Sequence, residues 1–216
     1  MALPRFSYIY YDINDYGWAY FALSVIMHII FDEFWTYWAH RWLHTYHFLY
    51  KYLHESHHLP VDVTPYAALA FHPLDALMQG IPTMTSCFFF PIHYNFYLYY
   101  LAITAIWAIF IHDNAPVLPI KLLLYCTHHT IHHEPGIGKL RNYGKFTSVM
   151  DRIMGSYEDA SRIDHGWERN KTFMKFCNWI NGYVDYYIPN NMLKKWMRGT
   201  LSKIKDVKDD KEDKEE

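Results

Sequence analysis

The chain has 216 residues, the size of one ordinary domain, which argues against two or more independent ones. Hydrophobic residues make up 51% and aromatics 19%, too apolar for a disordered chain, and a formal net charge of −2 argues against binding nucleic acid through a general basic field. Three well-separated cysteines (Cys87, Cys126, Cys177) exclude a disulfide scaffold, and the outlier is histidine, with 15 copies. Together these point to a membrane-associated metal protein.

In chain order, Tyr16 to Phe31 carries no Lys, Arg, Asp or Glu, and the aromatic run Phe34-Trp35-Thr36-Tyr37-Trp38 extends it towards an interface. This predicts a first span over roughly 16–38; a secretory signal fits poorly, because no basic start precedes it. From Ala76 to Ile111 another 36 residues are uncharged, with Pro91 as the break. A helical hairpin with arms at 74–90 and 94–111 is expected, against the alternative of a buried hairpin in a soluble protein. Sixteen of the 20 Lys and Arg lie between Lys139 and Lys214, which places the C-terminal half in the cytosol. The expected fold is all-α: an integral membrane protein of about three spans with a cytosolic helical cap over 112–202. Residues 1–202 read as a single domain, and 203–216, with twelve charges in fourteen positions, as a disordered tail.

Three histidine clusters carry the chemistry: His40 and His44; His54, His57 and His58; and His128-His129-Thr130-Ile131-His132-His133. Residues at i, i+3 and i+4 share a helix face, so His40 with His44, the three of the second cluster, and His129, His132 and His133 are each expected to point one way. Neutral imidazole suits iron, zinc and copper. His112 at the end of the hairpin is a natural ninth ligand and His72 a further candidate. The isolated His28, His47, His93 and His165 read instead as amphipathic interfacial side chains. A catalytic zinc takes three protein ligands, too few to employ this set, and carboxylate-bridged di-iron sites want two Glu-x-x-His pairs where only Glu55-x-x-His58 stands in a suitable setting. His54-Glu55-Ser56-His57-His58 also matches the H-E-x-x-H pattern of zinc proteases, but that reading leaves most of the histidines unused. A metal transporter would place ligands along a polar path within the spans, where only His28 and His93 lie. A histidine-rich di-iron centre fits the count best.

With the three boxes go Thr64-Pro65-Tyr66-Ala67, Ala70-Phe71-His72-Pro73-Leu74-Asp75, Gln79, Pro82, Pro91-Ile92-His93, Ile111-His112-Asp113, Asn142-Tyr143-Gly144-Lys145-Phe146-Thr147 and Asp151-Arg152-Ile153-Met154-Gly155-Ser156-Tyr157. In these, over roughly residues 16–157, the chain resembles the fatty acid hydroxylase/sterol desaturase superfamily, and within it the sterol C5-desaturase branch. It departs in having Glu55 where a basic residue is commoner and Met150 where a Trp usually stands. It also has less membrane-spanning sequence before the first box, so an amino-terminal span is expected to be missing.

The resemblance implies two irons, O2 as co-substrate, and electrons from NADH or NADPH delivered by cytochrome b5 and its reductase. It implies a multi-pass protein of the endoplasmic reticulum membrane with its metal site facing the cytosol, and no nucleic-acid partner. The activity implied is introduction of the C5–C6 double bond into a Δ7-sterol; sterol C4-methyl oxidation or lipid hydroxylation are the sister activities. The implied ligands are His40, His44, His54, His57, His58, His112, His129, His132 and His133, with His72 and His128 as additional candidates. Asp75 and Asp113 are expected to orient imidazoles or else to cap helices. Asn142 and Tyr143 are expected to shape the cover over the metals or simply to form a turn. Lys194-Lys195-Trp196-Met197-Arg198 would face anionic lipid or cytochrome b5, or be a solvated face.

Overall fold

The structure is a computed structural model and describes residues 6–60, 63–113, 120–134, 141–159 and 171–197. The charged tail 203–216 and His165 lie outside the described residues. Helix α1, Gly17–Thr45, follows a short turn in which Asp12 accepts from the Asn14 backbone N–H. Nothing between Trp18 and Thr45 breaks a helix, so its 29 residues run about 44 Å, past the thickness of a hydrocarbon core of about 30 Å. His40 and His44 therefore sit on the last turns of the same helix that forms the first predicted span.

Helix α2, Pro73–Thr85, opens with Pro73 in the first helical position, where its missing N–H costs nothing. It ends sooner than the predicted arm at 74–90: a 3-10 turn over Ser86–Phe88 follows, then β2, Ile92–His93. Its 13 residues cover about 20 Å, too short to cross a bilayer alone. β2 pairs in parallel with β1, Ile9–Tyr10, Ile9 opposite Ile92 and Tyr10 opposite His93. Helix α3, Tyr94–Ile111, runs about 27 Å. The described residues thus supply two helices of crossing length, α1 and α3, where about three spans are expected. Leu98, Tyr99, Ile103, Ile106 and Ile109 stand exposed along α3, an apolar face suited to lipid.

The cap is built from α4 (Cys126–His133), α5 (Val149–Met154) and α6 (Lys171–Tyr187). Buried Arg152 on α5 donates to the Asp185 carboxylate and the Ile188 carbonyl at the end of α6. The loop 141–148 between α4 and α5 is tied down by buried acids. The Glu33 carboxylate on α1 accepts from the Phe146 N–H (2.8 Å) and the Thr147 hydroxyl (2.9 Å). Asp151 accepts from the N–H groups of Tyr143 (2.9 Å) and Gly144 (2.8 Å) and from Ser156 Oγ (2.7 Å). Gly144 has no room for a side chain: a Cβ would lie 2.5 Å from the Thr147 carbonyl oxygen and 2.6 Å from Leu124.

Candidate metal centre

The ends of α1 and α3, the short helix α4 and the turns over 54–58 converge nine imidazoles into two adjoining groups. The first joins His40, His44, His54, His58 and His132; the second joins His57, His112, His129 and His133. Within each group one ring nitrogen per residue lies within 4.8 Å of all the others. His58 and His133 stack at 4.3 Å between ring centroids, so the groups share a wall.

The partition does not follow the sequence boxes. Along a helix a step of four residues rotates by about +40° and a step of three by about −60°, so the i+3 and i+4 neighbours of one residue diverge by about 100°. On α1 and α4 the i, i+4 pairs accordingly stay together, His40 with His44 and His129 with His133. His54 and His58 also share a group, but there the chain leaves a π-helical turn over Tyr50–His54 and continues in tight turns, with the His57 N–H on the His54 carbonyl and the His58 N–H on the Glu55 carbonyl. The i+3 members, His57 and His132, cross to the other group. The expectation that each box points one way holds for His40 and His44 and is corrected for the second and third boxes.

The ring nitrogens face each other in a way that asks for a cation. In the first group His44 Nε2 lies 3.1 Å from His132 Nε2 and 3.0 Å from His54 Nε2, and His58 Nε2 is 3.1 Å from His54 Nε2. In the second, His112 Nε2 lies 2.8 Å from His129 Nε2, which is 3.0 Å from His133 Nε2. His40 Nε2 is buried without a hydrogen-bond partner. The far nitrogens decide what these faces carry. His54 Nδ1 donates to Asp75 Oδ2 (2.6 Å), His132 Nδ1 to the Arg141 carbonyl (2.6 Å), His112 Nδ1 to the Ala108 carbonyl (2.6 Å) and His40 Nδ1 to the Tyr143 carbonyl (3.0 Å). With the proton held at Nδ1, the neutral form of each ring presents a lone pair at Nε2. Converging lone pairs repel unless a positive ion lies between them. Two nitrogens bound at right angles to one ion at about 2.1 Å stand about 3 Å apart, which is the spacing observed.

Burial, with the neighbouring imidazoles adding to it, holds His57, His58, His129 and His132 well below the ordinary histidine range, and His133 is held down to about 3. Since these folded-state values lie below the unfolded value of 6.5, the unfolded chain binds more protons at any pH between them. Stability and metal retention are full above about pH 6.5 and fall as the pH drops towards 3. Protein loaded with metal at pH 7.5 should release it on transfer to about pH 5 and melt at a lower temperature; unchanged retention and melting would contradict the site.

Asp75 is fully buried, and its carboxylate accepts from His54 Nδ1 and from Gln79 Nε2 (2.8 Å). Asp75→Asn is expected to weaken metal binding about 10- to 100-fold while leaving all nine imidazoles in place, measurable by competition with a chelator. Tyr143 also contributes, through its backbone carbonyl. Asn142 adopts φ 56° and bonds the His128 and Glu158 carbonyls, making the turn. The structure does not bring His72, His128 or Asp113 into either group. His72 Nδ1 instead caps α2, accepting from the Leu74 N–H, and His128 Nε2 meets the Tyr157 hydroxyl at 3.3 Å. The Ala108 carbonyl, rather than Asp113, orients His112. His54 and His58, the two ligands of the H-E-x-x-H pattern, stand in one group with three further imidazoles, five where a catalytic zinc takes three protein ligands. Sequence reasoning missed Arg141, Ala108 and Asp151, which act through backbone carbonyls or through a loop.

Facing His40, His57, His112 and His129 is a cavity of about 320 Å³, walled by α2 and α3 and lined mostly by apolar side chains such as Phe71, Met84, Leu101, Trp107 and Ile111.

Residues 25–156 match the fatty acid hydroxylase family. The chain is 36% identical over 175 residues to the Delta(7)-sterol 5(6)-desaturase erg31 of Schizosaccharomyces pombe, covering 80% of this chain and 57% of that protein. It is 35% identical over 181 residues to the lathosterol oxidase of Rattus norvegicus, covering 80% and 59%. With the Delta(7)-sterol-C5(6)-desaturase of Nicotiana tabacum the identity is 34% over 157 residues, covering 70% and 56%. No solved structure matches. The chain spans less than two thirds of the length of each of these relatives. On its histidine boxes, its helical fold and these likenesses, the chain belongs to the fatty acid hydroxylase family.

Proposed function

We propose that this chain is an O2-dependent, iron-containing sterol desaturase that introduces the C5–C6 double bond into a Δ7-sterol. The observation that carries this reading is the pair of all-imidazole groups bordering an apolar cavity, in a chain whose relatives are named for that reaction. Iron is preferred because nine neutral ligands in two sets exceed what a catalytic zinc takes, and neither set fills an octahedron, leaving room for a small molecule in each. Two bound irons would supply the reduction of O2 and the removal of two vicinal hydrogens, which with two electrons and two protons from a donor leave as water.

The protein's own part is placement. Asp75 and the carbonyls of Tyr143, Arg141 and Ala108 fix the imidazole orientations, so no reorganisation is required at the moment of reaction. The apolar walls of α2 and α3 exclude water from the reacting carbons and accept a lipid from the bilayer between the two helices. By this reading residues 1–202 form one membrane domain in the endoplasmic reticulum, with the nine histidines on the cytosolic face. Cytochrome b5 and its reductase would bring electrons from NADH or NADPH there. His72 and His128 serve as supports rather than ligands.

Expression in a eukaryotic cell that lacks its own C5-desaturase tests the activity. Δ5,7-sterols rising at the expense of Δ7-sterols, read by gas chromatography and mass spectrometry, are expected; a His132→Ala chain should leave the profile unchanged. Hydroxylated or C4-demethylated lipid in place of the new double bond would transfer the chain to a sister activity of its family.

A further inference from the structure

The cavity carries an ion pair at membrane depth that the metal groups do not use. Among its lining residues Lys145 alone is charged. Its Nζ donates to Asp32 Oδ2 at 2.6 Å and to Thr83 Oγ1 at 3.0 Å. Asp32, fully buried on α1, also accepts from Thr83 Oγ1 (2.7 Å) and the Tyr100 hydroxyl (2.7 Å). The carboxylate is thus well satisfied, whereas the ammonium has three N–H bonds and two of these partners. On the α3 wall Thr104 lines the same cavity, and its hydroxyl oxygen is buried without a hydrogen-bond partner.

These groups share one depth. Asp32 stands eight residues before His40 on α1, Thr104 eight before His112 on α3, and Thr83 eight after Asp75 on the opposed helix α2, each offset being about 12 Å along its axis. A buried ion pair seldom adds stability over apolar residues of like volume, and ionisable groups among membrane helices are costly enough to mark function. The pair is neutral as a whole, which suits a neutral polar ligand better than a carboxylate.

We propose that Lys145 and Thr104 bind the ring hydroxyl of the sterol. The third N–H of Lys145 donates to the hydroxyl oxygen, and the hydroxyl hydrogen is given to Thr104 Oγ1. This fixes how far the ring system enters and so which ring carbons face the imidazoles. The inference rests on the reading of the substrate as a sterol and adds the groups that recognise its hydroxyl.

The test is equilibrium displacement of radiolabelled Δ7-sterol from the full, membrane-embedded, iron-loaded chain, by the same sterol and by its 3-deoxy analogue, with turnover measured in parallel. Wild type should prefer the free hydroxyl. Lys145→Met should lose affinity for it about 10- to 100-fold and Thr104→Val several-fold, both approaching the affinity for the deoxy analogue, which should change little. The double variant Asp32→Asn/Lys145→Met removes the pair without stranding a buried charge and should behave as Lys145→Met. Where the lysine variants fail to insert, Thr104→Val, nearly isosteric, decides. Undiminished preference for the hydroxyl in Thr104→Val or in the double variant overturns the inference, as does a wild type that does not discriminate. A wild type that binds with this preference yet turns over no sterol would leave the hydroxyl site standing and remove the proposed desaturase activity.

Discussion

His57→Ala and His58→Ala, neighbours in the sequence, are expected to empty different metal sites. Each single variant should retain about one iron ion per chain where the wild type holds about two, and the double variant should hold close to none. The reason is geometric: His58 belongs with His40, His44, His54 and His132, and His57 with His112, His129 and His133. Turnover should fall below detection in either single variant, with membrane insertion intact. If each box instead served one ion, the double variant would keep as much iron as a single one. Metal analysis of purified protein separates the two outcomes.

Asp151→Ala should be the most damaging change away from the imidazoles. Burial pushes this carboxyl up to about 6 even though it accepts three hydrogen bonds, so its desolvation is borne by the loop it organises. Alanine strands two backbone N–H groups at about 1–3 kcal/mol each and leaves the Ser156 hydroxyl with Tyr37 alone, for a loss of about 2 kcal/mol or more. The same loop presents the Tyr143 carbonyl to His40 and the Arg141 carbonyl to His132. Iron in the first group should therefore fall with stability. Ser156→Ala removes one donor and should cost about 1 kcal/mol with iron retained. Equal melting temperatures for Asp151→Ala and wild type in detergent would contradict this account of the loop.

Much of this arrangement is legible in the sequence. Long uncharged runs announce helices of bilayer length, and histidines at i, i+4 announce ligand pairs, since both signals are local. The rest is not local. The split of His57 from His58 depends on where α4 and the end of α3 stand relative to the second box, which a helical repeat does not contain. An uncharged run does not say where its helix ends: the break expected at Pro91 comes six residues earlier, after Thr85, where the chain turns towards the strand that pairs with Ile9–Tyr10. Lys145 and Asp32 are 113 residues apart and neither belongs to a histidine box. Carbonyls that hold His40, His112 and His132 carry no side-chain signature at all. His72 had a readable one: a residue directly before Pro73 at the start of a helix is in the capping position.

The central claim is that nine imidazoles hold two ions. Metal content of the purified, membrane-embedded chain, grown with iron available and measured per chain by mass spectrometry, tests it most directly. About two iron ions per chain are expected. A single tightly held ion, or labile zinc lost on dialysis with no O2 consumption, would contradict the two-site reading.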